Sequence, residues 1–405
     1  MISETPESIP AEPSLRPILP VLFTVLLDLL GFGMVIPLLS YYAESFGADP
    51  FTVTLLMASY SMAQFVFAPM WGAWSDRIGR RPVMLLSIAG TAITLAGFAA
   101  SQSLAWLFIF RTINGAFAAN ISTAQAYVAD MTTPENRAKG MGMIGAAFGV
   151  GFTLGPWWGG ELAQFGLSAP IWAAAALSTI NWIWAWRSLP ESRPIMNSQR
   201  TLDPRVWLRS LSHPVVGLVI LVTFLATFAF SMMEATLALV AEHAWSMNPK
   251  QVGRMFLLIG VIGIIVQGGL IGRLVKRFGE SKLITVGLGL NVAALGLLTL
   301  AAMPSAHETP LRWAGCAVLA LGSSITNPSL SAIISRGVQA DEQGAILGAN
   351  QSLAALARAT APATGGLLYR GWFSGGAFLA GAMLIAAALP FAIPAVRRGR
   401  MSAQN

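Results

Sequence analysis

Hydrophobic residues in this 405-residue chain fall into runs of about twenty, the length that an α-helix needs to cross a hydrocarbon core of about 30 Å. Short polar turns separate the runs. The pattern predicts twelve membrane-crossing segments, numbered here as spans 1 to 12. Their predicted ranges are 17–41, 52–74, 83–101, 104–127, 139–163, 168–187, 214–241, 251–273, 282–303, 310–333, 343–368 and 373–396. The chain is therefore predicted to be an all-α membrane protein with twelve transmembrane helices.

A long polar gap divides the predicted spans into six and six. It covers residues 188–213 and is rich in arginine and proline, which is typical of a cytoplasmic linker. The predicted domains are an N-terminal six-helix bundle over 1–187, this linker over 188–213, and a C-terminal six-helix bundle over 214–405.

Two short motifs recur at similar intervals in the two halves. An Arg-Ile-Gly sequence ends at Gly79 after span 2, and an Arg-Phe-Gly sequence ends at Gly279 after span 8, 200 residues later. Pro156 in span 5 is matched by Pro362 in span 11, 206 residues later. Two parallel repeats of six spans predict two pseudo-symmetric bundles, with a central site between them and alternating access by rocking.

Composition supports a membrane protein and disfavours other classes. Charged residues make up 11% of the chain, against about 25% in an average soluble domain. A soluble enzyme, a nucleic-acid-binding domain and a disordered chain are therefore disfavoured. The single cysteine, Cys316, excludes an intramolecular disulfide and a cysteine-based zinc cluster, and the three histidines fall at the ends of hydrophobic runs. No cofactor, metal site or enzymatic constellation is predicted.

The distribution of lysine and arginine predicts the orientation. With the N-terminus inside, nineteen basic residues lie on the cytoplasmic side, four lie outside, and Arg111 and Arg358 lie within spans. By the positive-inside rule, both termini are predicted to be cytoplasmic. The acidic N-terminus lacks the basic region of a signal peptide, so span 1 is expected to be retained. The expected location is a cytoplasmic (inner) membrane, with lipid rather than nucleic acid as the partner.

Four motifs resemble those of a known transporter superfamily. Residues 72–82, GAWSDRIGRRP, closely resemble the G-x-x-x-D-R-x-G-R-R signature of the major facilitator superfamily. Residues 27–37 in span 1, 111–115 in span 4 and 151–160 in span 5 are similar to motifs of its twelve-span drug–proton antiporter branch. The nearest subfamily is the one that contains the bacterial tetracycline exporters. The resemblance covers nearly the whole chain and implies the major facilitator fold, in a monomer that exchanges a small molecule for protons.

The motif after span 2 is expected to form a cytoplasmic gate. By the resemblance, Asp76 meets the start of span 11, where the helix dipole is positive, and holds the inside closed in the outward-open state. The alternative is that this basic loop only fixes the topology. The residues assigned to the gate are Gly72, Asp76, Arg77, Gly79, Arg80 and Arg81.

Glycines in span 5 recur at spacings of four, which places small residues on one helix face and allows another backbone to approach closely. We expect this face to meet the glycines of span 8 across the two halves. The resemblance implies that the span-5 pattern is characteristic of antiporters, and its residues are Gly151, Gly155, Pro156, Gly159 and Gly160.

Charges within spans are costly and are therefore candidate functional groups. Asp28 in span 1 and Arg111 in span 4 lie at a similar predicted depth, and the resemblance places both spans on the central cavity. We therefore predict a pair between them, direct or through water. Protonation of Asp28 would break the pair and couple transport to protons. The alternative is a static structural ion pair.

A further set of polar and flexible residues is predicted to face the cavity: Gln64, Asn114, Gln125, Met232, Glu234, Gln267, Asn350, Gln351 and Arg358. Methionine and aromatic walls with few fixed polar groups suit hydrophobic or amphipathic ligands. Glu234 and Arg358 either contact substrate, close the outer mouth or stabilise their bundle. Glu161 is placed at the outer boundary without a role.

The sequence thus predicts a secondary active transporter for multidrug efflux, with proton antiport of small hydrophobic or amphipathic compounds. Where the tetracycline exporters carry ionisable residues in spans 3, 8 and 9, this chain has Thr94, Gly263 and Asn291, so metal–tetracycline is not the expected substrate. The alternatives are a facilitator or proton symporter for a small metabolite, or a non-transporting membrane sensor or lipid-handling protein.

Overall fold

A computed structural model describes residues 18–118, 120–192, 216–303, 308–336, 343–371 and 373–402, and every regular element in these ranges is helical. The predicted linker lies outside them from residue 193 onward. The helices of spans 1 to 6 are Leu19–Val35 with Leu39–Glu44, Pro50–Ile78, Arg80–Ala99, Leu104–Phe117 with Asn120–Met131, Pro134–Leu162, and Ala169–Ser188. Those of spans 7 to 12 are Val216–His243, Pro249–Ile265, Ile271–Ala301, Glu308–Arg336, Gln343–Gly371 and Gly376–Ser402. A π-helical turn over Val266–Leu270 continues span 8 into Ile271–Ala301, which also contains span 9.

Six helical stretches in the described ranges are long and apolar enough to cross a membrane by length and composition alone. They are Leu19–Glu44, Pro50–Ile78, Arg80–Ala99, Gly217–His243, Pro249–Ala301 and Pro310–Ile333. Pro249–Ala301 has 53 residues and contains two of the predicted spans. Two shorter apolar helices, Leu104–Phe117 and Gly376–Phe391, belong to spans 4 and 12.

The helices pack in the same order in the two halves. In the first half, span 1 packs against spans 5 and 6, span 3 against spans 4 and 6, and span 2 against span 4. In the second half, span 7 packs against spans 11 and 12, span 9 against spans 10 and 12, and span 8 against span 10. Adding six to each span number converts one set of contacts into the other. The predicted fold class, twelve helices in two pseudo-symmetric bundles, is confirmed.

Equivalent caps begin two equivalent helices. The Asp49 side chain accepts a hydrogen bond from the Thr52 backbone N–H at the start of span 2. The Asn248 side chain accepts one from the Gln251 backbone N–H at the start of span 8, and Gln251 completes a capping box. A proline follows each cap at the first helical position, where its missing N–H costs nothing. The repeat therefore extends to the signals that start the helices.

The repeated glycines that follow spans 2 and 8 share one backbone conformation. Gly79 has φ 101° and ψ 158°, and Gly279 has φ 75° and ψ 151°. A positive φ of this kind strongly favours glycine, because a side chain would clash with the backbone. Each glycine reverses the chain between a span that ends and a span that begins.

The glycines of span 5 do not form one face towards span 8 as predicted. Gly151, Gly155 and Gly159 pack against span 1 of their own bundle, and a methyl group at Gly155 would lie 2.8 Å from the Gly33 Cα atom. Spacings of four place these three residues on one face, and that face points within the bundle rather than between bundles.

Neighbouring positions of span 5, rotated by about 100° per residue, make the contact with the second half. A methyl group at Gly160 would lie 2.7 Å from the Pro249 carbonyl oxygen, and one at Gly253 would lie 2.6 Å from the Pro156 carbonyl oxygen. Thr153 faces Gly260 farther along the same interface. The motif at residues 151–160 therefore contributes to two interfaces.

We expect Gly155→Ala to destabilise the protein by about 1–3 kcal/mol, because the added methyl group overpacks the contact with span 1. Gly142→Ala is the matched control, since a methyl group there has nothing within 4 Å. This second change should be neutral or stabilise the helix by up to about 1 kcal/mol. The measurement is thermal unfolding in detergent, followed by reaction of the buried Cys316 thiol with a fluorogenic maleimide. Equal midpoints for the two variants would contradict the packing described above.

Candidate functional site

A central cavity of about 1630 Å³ lies between the two bundles, and every span contributes to its wall. Asp28 and Arg111 both line it. Eight of the nine residues predicted to face a cavity line it as well: Gln64, Asn114, Gln125, Glu234, Gln267, Asn350, Gln351 and Arg358. The structure therefore gathers residues from widely separated spans into one site.

Met232 is the exception among the nine. Its side chain is 1% exposed and packs in a cluster with Ala361 and Ala377, away from the cavity. The next residue, Met233, lines the cavity instead. Successive side chains of an α-helix point about 100° apart, so Met233 faces the cavity while Met232 faces the interior of the bundle. The prediction for Met232 was therefore wrong by one residue.

Asp28 is held by a neutral partner from span 6. The Asn181 side chain, which is 0% exposed, donates a hydrogen bond from Nδ2 to Asp28 Oδ1 at 3.2 Å. The same nitrogen donates to the Thr24 carbonyl oxygen at 3.1 Å. Asn181 carries no signal in the sequence beyond being polar within a span, and it is not among the predicted site residues.

Arg111 lies against aromatic rings on the cavity wall. Its guanidinium carbon is 4.3 Å from the centre of the Tyr60 ring and 5.8 Å from that of Phe32. The side chain is 4% exposed, and in the described part of the chain its Nε atom has no hydrogen-bond partner. Tyr60 lies within electrostatic range of both Arg111 and Asp28.

The described contacts of Arg111 are with aromatic rings, and its direct pairing with Asp28 stays a prediction. Equal depth in the membrane does not make two side chains face each other, because depth ignores the rotation of each helix about its axis. Contact through water stays a prediction. The stacking on Tyr60 gives Arg111 a cation–π interaction.

Glu234 in span 7 and Arg358 in span 11 line the cavity on the side of the second bundle. They are close enough to interact electrostatically. This arrangement is compatible with each of the roles considered for them, namely substrate contact, closure and stabilisation of the bundle.

Several polar residues of the wall already have partners. Asn114 donates a hydrogen bond to the Thr94 hydroxyl at 2.8 Å, and Gln64 donates one to the Ala118 carbonyl oxygen at 3.0 Å. Gln267 lies on the π-helical turn of span 8, a feature that often occurs at functional sites. The remaining wall is largely apolar, with Phe152 and Phe256 among its aromatic residues.

The two faces of the molecule differ in charge and in packing. The face that carries Arg77, Arg81 and Arg277 is called the basic face here, and the other is called the opposite face. Near the basic face, methyl groups placed on Gly72 or Gly142 have nothing within 4 Å. The same is true of the glycines near that end of span 8, Gly268, Gly269 and Gly272. Near the opposite face, by contrast, span 5 touches span 8 and Gly366 of span 11 touches Thr54 of span 2. Among the described residues, spans 5 and 8 and spans 2 and 11 therefore meet near the opposite face, and the glycines of spans 2, 5 and 8 near the basic face have open space beside them.

Polar contacts also join the two bundles near the opposite face. Glu161 accepts contacts from Lys250 at 2.7 Å and Arg254 at 3.6 Å. Glu44 lies 3.1 Å from the His243 Nε2 atom. The remaining contacts are Tyr41 to the Met247 carbonyl oxygen at 2.7 Å and Arg370 to Asp49 at 3.5 Å. We call these the closing contacts.

Asp49, which forms the closing contact with Arg370, is ionised at neutral pH. Hydrogen bonds from the Thr52 hydroxyl and backbone N–H hold the pKa of Asp49 below its usual value, and Arg370 lowers it further. Asp49 is exposed, so its pair with Arg370 adds little by itself. None of the closing contacts, including those of Glu161, was predicted, because a pair between distant spans leaves no local pattern in the sequence.

The predicted gate residues are anchored within the first bundle. The Arg80 guanidinium contacts Asp76 at 2.5 Å and Asp130 at 3.1 Å. The Glu191 carboxylate accepts hydrogen bonds from the backbone N–H groups of Arg80 at 2.8 Å and Arg81 at 3.2 Å. The expected contact between Asp76 and the start of span 11, at residue 343, stays a prediction.

Known proteins are similar to this chain in sequence and in fold. A family model for the Major Facilitator Superfamily matches residues 21–362. The class C tetracycline resistance protein of Escherichia coli is 31% identical over 94% of this chain and 96% of its own length. Multidrug resistance protein 2 of Bacillus subtilis is 28% identical over 86% of this chain and 87% of its own length. The crystal structure of the human organic anion transporter MFSD10 (TETRAN) has a TM-score of 0.72 and 28% identity, and the match covers 94% of this chain and 100% of that one.

We expect Glu161→Lys to weaken the closure of the opposite face. Glu161 now pairs with Lys250 and Arg254, and a lysine at this position would repel both. A loss of about 1 kcal/mol would change the ratio of conformers roughly fivefold. Spin labels at Gly142→Cys and Gly272→Cys, in a Cys316→Ser background, report the separation of spans 5 and 8 at the basic face. Double electron–electron resonance should show a shift to shorter distances as the basic face closes.

The charge-swapped double variant, Glu161→Lys with Lys250→Glu, is the control and should recover much of the original distance distribution. If Glu161→Lys alone leaves that distribution unchanged, these ion pairs do not contribute to closure.

Proposed function

The chain belongs to the Major Facilitator Superfamily and is a multi-pass membrane transporter rather than an enzyme, and we propose that it exports small hydrophobic or amphipathic compounds in exchange for protons. The observation that carries the proposal is the position of Asp28, an acid of span 1 on the wall of a cavity between two bundles that meet near one face. A titratable group in that position can meet each side of the membrane in turn.

The orientation that we propose follows from the charges. The positive-inside rule assigns the basic face and both termini to the cytoplasm. The location that we propose is the cytoplasmic membrane. On this assignment, the face with open space beside its glycines is the cytoplasmic one, and a compound destined for export would enter there.

The exchange that we propose depends on one shared site. When the cavity faces the cytoplasm, Asp28 releases its proton and a substrate binds. After the cavity opens outward, proton binding at Asp28 favours substrate release. Neutral or cationic substrates suit this order, because their binding is compatible with an ionised Asp28.

The walls of the cavity support amphipathic substrates. Phe32, Tyr60 and Met233 provide apolar and polarisable surface, and the polar groups of Asn114 and Gln64 are partly occupied by protein partners. Two relatives are named for resistance to tetracycline and to multiple drugs, which supports export as the direction.

A second candidate function is symport of an organic anion with a proton. It is favoured by Arg111, a buried cation on the cavity wall that lies over the rings of Tyr60 and Phe32. One relative is a human organic anion transporter. An anion bound near Asp28 would favour the protonated carboxyl group, so proton and substrate would move in the same direction. The direction of proton flux therefore separates the two candidates.

We expect Asp28→Asn to abolish transport driven by a pH gradient while leaving substrate binding intact. In proteoliposomes with an acidic lumen, the unmodified protein should accumulate ethidium, a fluorescent amphipathic cation, and the lumen should lose protons. The variant should lose about tenfold or more of this transport, with ethidium affinity within about threefold of the original.

Glu280→Gln is the matched control, because it removes a carboxylate that does not line the cavity. Gradient-driven accumulation by Asp28→Asn at the original rate would refute the role of Asp28. A wild-type flux of ethidium that ignores the pH gradient would favour a facilitator, and proton movement together with an organic anion would favour the symporter.

A further inference from the structure

Asn181 is a polar residue with no exposure, placed in span 6 against the acid of span 1. We propose that Asn181 is the positioning residue of Asp28, whose amide donates to the ionised carboxylate and rotates to accept from the protonated one. The inference rests on the proposed function, because an adaptable partner matters only if Asp28 gains and loses a proton in each cycle.

The amide orientation in the structure is the one that an ionised Asp28 requires. A carboxylate only accepts hydrogen bonds, so its partner must donate. The Asn181 Nδ2 atom has two hydrogens and two acceptors within reach, Asp28 Oδ1 at 3.2 Å and the Thr24 carbonyl oxygen at 3.1 Å. Both donors of the amide are thereby used, and the side chain is fixed between two turns of span 1.

The other end of the amide is unsatisfied. In the described part of the chain, the buried Asn181 Oδ1 atom has no hydrogen-bond partner, and the buried Thr24 hydroxyl lacks one as well. Buried polar atoms without partners are unfavourable and uncommon. The unpartnered Asn181 Oδ1 atom is explained if a hydrogen-bond donor reaches it when Asp28 is protonated.

Protonation of Asp28 provides that donor. The neutral carboxyl group has one O–H, which needs an acceptor. Rotation of the Asn181 amide by about 180° places Oδ1 where Nδ2 now lies, so the O–H of the protonated Asp28 gains an acceptor while the Thr24 carbonyl oxygen gives up its hydrogen bond from Nδ2. An asparagine can do this because its two ends have similar size and opposite hydrogen-bonding character. Leucine at this position could serve neither form, and lysine, which only donates, could serve only the carboxylate.

The other titratable groups near Asp28 have different effects. The titratable side chains on the cavity wall are Asp28, Tyr60, Arg111, Glu234 and Arg358, and the last two belong to the second bundle. Tyr60 of span 2 lies within electrostatic range of both Asp28 and Arg111 of span 4. Asn181 carries no charge, so its removal should act on Asp28 without altering the net charge of the cavity.

The test is an infrared pH titration of the purified full-length protein in lipid, which needs no substrate. The Asp28 carboxyl band is identified as the C=O band that Asp28→Asn removes. In Asn181→Leu, the midpoint of this band should move to higher pH by about one unit, because the donor that stabilises the carboxylate is lost. Its frequency should also rise, since the carboxyl group loses its acceptor.

Asn181→Asp keeps the size of the side chain and covers the case in which the leucine variant does not fold. Two adjacent carboxyl groups should then share a proton and titrate in two separate steps. Asn181→Gln should recover part of the original midpoint. Thr179→Val is the control, because it removes a hydroxyl from the same helix at an exposed position that does not line the cavity.

The outcomes separate this inference from the proposed function. A midpoint that stays within about 0.2 pH units of the original in both Asn181→Leu and Asn181→Asp overturns the positioning role, even if transport is proton-coupled. So does an Asp28 band that does not titrate between about pH 4 and 10. If the midpoint shifts as expected while a pH gradient drives no transport, the proposed function fails and the positioning role stands.

Discussion

Ionisable side chains within a membrane need water or polar partners, and this requirement decides where each of them lies. Asp28, Arg111, Glu234 and Arg358 all line the central cavity, where they meet polar groups or aromatic faces. The outward surface of the helices instead carries large apolar side chains such as Ile93. Because charge is tolerated only in the middle of the molecule, the space that receives a substrate is also the space that holds the titratable groups.

The internal repeat explains why one cavity can be opened at either end. Spans 5 and 8 pack together, and so do spans 2 and 11, which is the same pairing after exchange of the two halves. These two interfaces carry small residues near the opposite face, including Gly160, Gly253 and Gly366. Small side chains let the helices approach closely without interlocking, so each interface can close at one end while it parts at the other. The closing contacts stabilise the packing of the two bundles near the opposite face.

The sequence was most informative where a physical requirement has a local signature. The spans follow from the length of apolar runs, and the equivalent turns at Gly79 and Gly279 follow from a repeated motif that ends in the residue best suited to a positive φ. Relationships between distant spans were harder to predict, because they depend on the rotation of each helix. The orientation of span 7 about its axis points Met232 away from the cavity, and that of span 5 points Gly155 towards span 1 of its own bundle. Helix rotation also sets Asp28 against Asn181, a contact between residues 153 positions apart for which neither segment carries a signal.

Asp28 accepts a hydrogen bond from a neutral residue, Asn181, and this matters for the proton exchange that we propose. Breaking a buried salt bridge by neutralising one member costs about 3–5 kcal/mol, because the other charge is left uncompensated. A carboxylate locked in such a pair would resist protonation in every cycle. Asp28 receives a hydrogen bond from the Asn181 amide, and Arg111 is stabilised by the faces of Tyr60 and Phe32. In the mechanism that we propose, an amide partner suits an acid that is protonated and deprotonated in turn, because an amide can either donate or accept a hydrogen bond.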